Sequence, residues 1–165
     1  MKQIKILLVL LLIFLLSKVN AQNREIELET CLLQVVDTTL YQYLDTALVY
    51  RYDCLATLED RSIYFTIMGG SLVGFTIEAS DIWNKDWLSP LLFDGGFMYK
   101  NHIFLVMANT LETLPFLQKT DDLLRTNFKL MGIGWQSLFT LWIKFSKNGF
   151  ILSKVDNCID PSSKW

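Results

Sequence analysis

The sequence predicts an α+β domain: a long N-terminal amphipathic helix packed on an antiparallel sheet built from about three β-hairpins. Three observations carry this reading. Apolar residues recur at helical spacing over residues 23–54, β-rich runs pair about turn signals after Asp60, and 52% of the chain is hydrophobic against 19% charged. That balance excludes a disordered or solvating chain, because it gives enough apolar burial to offset the entropy of ordering.

Before the first element comes a leader. Lys2 and Lys5 precede an unbroken apolar run over residues 6–16, and Ser17-Lys18 ends it ahead of Val19-Asn20-Ala21. This is the three-part layout of a secretory signal, with the cut expected after Ala21. Eleven apolar residues make only about 16 Å of helix, against a hydrocarbon core of about 30 Å, so a retained membrane anchor is disfavoured. Residues 1–21 are therefore expected to be removed, leaving 22–165 as a single domain, exported to the periplasm or secreted.

In the helix, Leu28, Cys31/Leu32, Val35/Val36, Leu40, Tyr43/Leu44 and Ala47/Leu48 fall at steps of three and four, the mark of one buried stripe. Asn23 is the expected N-cap, and Glu25, Glu27 and Glu29 complement the positive end of the helix dipole. Thr38-Thr39 is the weak point, since polar and β-branched residues in succession loosen a helix.

Three hairpins follow. The first pairs residues 63–68 with 72–78 about Gly69-Gly70, with a bulge expected at Gly74; the second pairs 97–100 with 103–108 about Asn101-His102. The third pairs 135–146 with 150–155 about Asn148-Gly149, a dipeptide that between apolar runs is a strong hairpin signal. In its first strand Trp135, Phe139, Leu141, Ile143 and Phe145 fall on one side and Gln136, Thr140 and Lys144 on the other, so one side faces the core. Between hairpins, Ser80 should cap a short helix over 81–84, Thr110 or Thr113 should open a turn, and Thr120 with Asp121-Asp122 should open a short helix towards Phe128.

Reactive groups are few. His102 is the one histidine and falls in a turn; Cys31, Cys54 and Cys158 have no metal-ligand spacing. The pairs Gly69-Gly70 and Gly95-Gly96 read as turns, and neither they nor Gly132-Ile133-Gly134 match a phosphate-binding loop. Glu78, Asp81, Asp86 and Asp94 offer at most a carboxylate pair for a hydrolase, although such residues in connections are more often caps. No catalytic residue, metal or cofactor is implied.

The aromatic segment 82–93 is unusual, for it sets Trp83, Trp87 and Phe93 in a connection where polar residues are the norm. Either Trp83 and Trp87 cap one end of the sheet, or with Phe93 they form an exposed patch that anchors a partner. Removing Lys2, Lys5 and Lys18 with the leader leaves 12 basic against 17 acidic residues, a net charge near −5. Such a surface repels nucleic acid and anionic membranes and attracts a basic protein. The sequence thus points to an exported, non-enzymatic protein that binds a macromolecule, an inhibitor or immunity-type protein facing a basic toxin or enzyme being one form. The alternative is a carrier of a small apolar ligand in a pocket between helix and sheet, lined by Phe75, Phe104, Trp135 and Phe139.

An oxidising compartment favours a disulfide. If the helix is continuous, Cys31 and Cys54 lie about 35 Å apart along it, beyond the ~7 Å between α-carbons that a bridge tolerates. The expected pair is Cys54 with Cys158. Alkylation of the mature protein without reductant, read by mass spectrometry, should label Cys31 alone; label on Cys54 or Cys158 would refute the pairing.

Overall fold

The first strand is dictated by alternation. Glu25-Ile26-Glu27-Leu28-Glu29-Thr30 switches between acidic and apolar or small side chains at every step, and with Cys31 it forms strand β1 (Glu25–Cys31), Leu28 and Thr30 buried and Glu27 and Glu29 exposed. A computed structural model describes residues 25–55, 64–70, 73–81, 92–120, 124–131 and 136–156.

The long N-terminal helix is therefore corrected to two strands and one shorter helix. After β1 come β2 (Leu33–Val35), a 3-10 turn (Thr38–Leu40) and helix α1 (Tyr41–Leu55). Leu28 and Leu32, four residues apart, satisfy a helical spacing and a strand spacing alike, and Val35 continues the helical one, which is why the stripe read as continuous. The change occurs at Asp37, whose carboxylate accepts from the Thr39 backbone N–H at 2.9 Å and from its hydroxyl at 2.7 Å. That cap starts a helix at the Thr38-Thr39 weak point. Beyond it the helical stripe holds: Leu40, Tyr43, Leu44, Ala47 and Leu48 are all buried.

The remaining strands are β3 (Tyr64–Gly70), β4 (Gly74–Asp81), β5 (Phe93–Tyr99), β6 (His102–Met107), β7 (Leu117–Lys119), β8 (Arg125–Met131), β9 (Gln136–Ser146) and β10 (Gly149–Asp156). Six of them form a sheet in the order β10-β9-β4-β3-β6-β5, antiparallel except for the β3–β6 pair. The antiparallel hairpins β3–β4, β5–β6 and β9–β10 occupy the expected regions, with shifted turns. Gly70 pairs with Gly74, so Gly69-Gly70 lie inside β3 and not in its turn. Lys100 and Asn101, both at positive φ, turn the second hairpin and leave His102 paired with Tyr99. In the third, Lys147-Asn148 separate the Ser146–Gly149 pair, and Gly149 takes φ +118. The bulge expected at Gly74 falls instead at Leu138, where Ala79 pairs with Phe139 and Ser80 with Ser137.

One face of the sheet carries Phe65, Ile67, Phe75, Ile77, Phe104, Val106, Phe139, Leu141 and Ile143, covered by α1 and by the small β2–β7 ribbon with Leu114 and Phe116. Among the described residues the opposite face is covered at one end. There β1 and β8 pair as an antiparallel ribbon, and Leu28, Phe128 and Leu130 close over Tyr64, Phe93 and Leu105. Residues 125–128, expected as the end of a short helix, are part of this ribbon, with Phe128 and Leu130 inward and Asn127 and Lys129 outward. The chain passes from this layer to the helix layer around the edge of β5, where Leu32 bridges Gly96. The passage is tight: a Cβ on Gly95 would meet the Cys31 carbonyl at 2.7 Å, and one on Gly96 the Phe128 ring at 2.8 Å. Gly95-Gly96 is a crossing point, not a turn.

Asp94 fixes the connection after β6. Its carboxylate accepts the backbone N–H groups of Asn109, Thr110 and Leu111 at 2.9–3.1 Å, holding the 3-10 turn Leu111–Thr113 against the sheet. Hydrogen bonds to a charged acceptor contribute about 1.5–3 kcal/mol each when lost singly, less when the freed donors reach water. Asp94→Ala is expected to lower unfolding free energy by about 2–3 kcal/mol in urea denaturation; a loss below about 0.5 kcal/mol would show that this cap is dispensable.

Candidate functional site

The half of the outer face not covered by β1 and β8 is the candidate site. Across β3, β4, β9 and β10 the register sets Met68 beside Thr76, Thr76 beside Trp142 and Trp142 beside Lys154. The neighbouring row runs Gly70, Gly74, Lys144, Ile151. Two glycines in that row leave bare backbone where side chains would stand, so the sheet is recessed between larger neighbours. The result is a hollow of about 270 Å³ walled by Met68, Val73, Thr76 and Trp142, with the strand segments Gly74-Phe75 and Ile143-Lys144 also lining it. Met68, Val73 and Ile151 are exposed here, and so is Trp142 at 46%. A cluster of this kind on one sheet face is more than the scattered apolar exposure of an ordinary surface.

Trp142 is held by its polar edge. Its indole N–H donates to Asp156 at 2.8 Å, and the Asp156 carboxylate also pairs with Lys154 at 2.5 Å. Ser153, the extra residue where the β9–β10 register shifts, donates its hydroxyl to the Trp142 carbonyl at 3.0 Å. With its N–H satisfied, the ring offers carbon surface to the hollow. Lys144 has no ion-pair partner among the described residues.

The residues singled out from the sequence are placed differently. Trp83 and Trp87 lie outside the described residues, and Phe93 is only 6% exposed, inside the cluster beneath the β1–β8 ribbon. As a partner-binding anchor Phe93 is corrected to a core residue, because β5 turns it towards Leu28 and Leu105. Cys158 lies outside the described residues and Cys54 falls within α1, while Cys31 is a half-buried free thiol. Since Cys31 is in a strand, the separation along a continuous helix no longer excludes a Cys31–Cys54 pair. Phe75, Phe104 and Phe139 are buried among other rings: Phe104 stacks on Phe65 at 4.6 Å and Phe75 meets Phe116 at 4.7 Å. They fill the core where the expected pocket would be; Trp135 and Asp86 lie outside the described residues.

His102 sets its ring edge-on to Phe65 at 6.0 Å, and Glu78 accepts from the Ser80 hydroxyl at 3.0 Å. Trp142 does not belong to the apolar side of β9 from which the core was read. The signal was present on the other side, where a tryptophan stands between Thr140 and Lys144 at wet positions.

Comparison with protein-family models, curated proteins and solved structures finds no match. The site must be judged on its own chemistry. Among the described residues no group of three or more His, Cys, Asp or Glu could hold a metal ion, and no helix is long and apolar enough to cross a membrane.

A second cluster joins α1 to the β5–β6 turn. Asp45 accepts from the Tyr99 hydroxyl at 2.9 Å and from Lys100 at 2.6 Å, and Tyr41 stacks on Tyr99 at 5.0 Å. This is a tether: the Tyr99 hydroxyl and the Lys100 ammonium both spend a hydrogen bond on Asp45, joining the helix to the turn. The Lys100 ammonium holds the Asp45 carboxyl below its ordinary 3.8. A carboxyl depressed in the folded state stabilises above its unfolded value, and that contribution disappears as pH falls through the folded one. Urea midpoints of wild type and Asp45→Asn should therefore differ most near neutral pH and converge below about pH 4. A difference that stays constant down to about pH 2.5 would assign the tether to packing alone.

Proposed function

We propose that this chain is an exported, non-enzymatic binding protein of the cell envelope that engages a protein partner through the open sheet face around Trp142. The supporting observation is that face itself: an exposed tryptophan, fixed by Asp156, among Met68, Val73 and Ile151. Tryptophan is enriched at interface hot spots because it buries a large rigid surface at little cost in side-chain entropy. An inhibitor or immunity-type protein is the form that suits a small, mildly acidic chain. A net charge near −5 after loss of the leader would draw a basic toxin or enzyme from a distance, while the apolar face supplies the contact.

A second reading is favoured by the hollow. At about 270 Å³ it lies just under the range of small-molecule pockets, so the carrier role moves from between helix and sheet to the outer face.

The test of the first reading is capture from the cell envelope by mature wild-type protein and by Trp142→Ala. A specific partner should be retained by the first and lost from the second, and purified partner should associate more slowly as salt is raised. Because Trp142 is half exposed, the variant should lose only about 1 kcal/mol of stability. Equal capture by both proteins, or a large fall in the thermal transition, would remove the face from the binding role.

A further inference from the structure

We propose that the hollow beside Trp142 binds an anionic amphiphile, the acyl chain of a medium-chain fatty acid lying on the glycine-lined backbone with its carboxylate on Lys144. This rests on the small-ligand reading of the same face and names the chemistry that would be selected.

Four observations lead to it. The walls are carbon, with the Trp142 N–H already consumed by Asp156. Lys144 is the one charged residue of the lining and has no ion-pair partner among the described residues, whereas neighbouring Lys154 is neutralised by Asp156 at 2.5 Å. Among the described residues no carboxylate lines the hollow to repel an anion. The size agrees too: a methylene occupies about the same space as the ~30 Å³ share of a water molecule, so 270 Å³ holds about nine. An eight-carbon chain fits; a long-chain lipid would project into solvent.

Gly70 gives the means to close the site. A Cβ there would meet only the Gly74 carbonyl, at 3.7 Å, and the backbone lies outside the left-handed region, so a side chain can be added without displacing the core. A Cβ on Gly74 would instead strike the Ile143 carbonyl at 2.0 Å, which makes that position unsuitable.

The experiment titrates the full mature chain, labelled with ¹⁵N, with octanoate, octanol and octyltrimethylammonium, following the Trp142 indole N–H assigned by its loss in Trp142→Phe. Octanoate should shift that resonance saturably and bind about threefold tighter than octanol, the gain an exposed ion pair supplies, with the cationic amphiphile weakest. Lys144→Met should erase the preference for octanoate and leave octanol unchanged, and Gly70→Leu should weaken all three at least tenfold. Lys144 and Gly70 are both exposed, and the amide spectrum of each variant reports whether the fold is kept; Lys144→Gln serves if Lys144→Met loses it. Equal affinity for octanoate and octanol in wild type overturns the assignment of the anion to Lys144 while the apolar-ligand reading survives. No saturable shift with any probe overturns both.

Discussion

The fold depends on one row of side chains. Phe97, Phe104, Phe65, Ala79 and Phe139 stand side by side across β5, β6, β3, β4 and β9, each opposite the next in register. Phe65, Phe104 and Phe97 stack with centroids 4.6 and 5.4 Å apart and planes within about 11° of parallel. This stack crosses the β3–β6 pair, the parallel contact that joins one hairpin to the next. A parallel pair lacks the closing turn that holds a hairpin together, so its partners must be selected by side chains. Aromatic rings in contact supply that selection beyond the area they bury.

Once the row is formed, the two faces of the sheet have different fates. The inner face is apolar along all five strands and requires a full cover, which α1 and the β2–β7 ribbon provide. The outer face carries a buried apolar cluster around Tyr64, Phe93 and Leu105, and there β1 and β8 lie over it. Beyond them the outer rows carry Thr76, Thr140, Lys144 and Lys154, residues that need no cover, yet Trp142 and Met68 stand among them. The open face is thus not a remainder of incomplete packing. Its tryptophan is oriented by a carboxylate and its recess is made by glycines, and neither device serves the core.

The edges are also managed. At β5 the crossing chain bridges Gly96 through Leu32, and at β10 the Tyr43 hydroxyl of α1 donates to the Phe150 carbonyl. A bulge at Ser153 and the charged Lys154 further disrupt the β10 edge, as expected of strands that avoid pairing with other chains. Binding by strand addition is thereby disfavoured at both edges of the six-stranded sheet.

By itself the sequence determined the local units: the three hairpins, the buried stripe from Leu40 to Leu48 and the inward side of β9. Each rests on spacing or turn chemistry within a dozen or so residues, where the chain has little choice. It misled where local patterns were degenerate. The Leu28–Leu32 step fits two periods, and only the presence of β8 opposite β1 makes the strand the better solution, because a ribbon over Leu105 buries what a helix there would leave exposed. The glycine pairs were ambiguous for the same reason: a turn and a close crossing both need a missing side chain, and only Cys31 passing over Gly95 distinguishes them. The open face lay beyond local reading because Met68, Gly74, Trp142 and Ile151 come from four strands. Their meeting is decided by strand order, and strand order is set by packing between elements far apart in the chain.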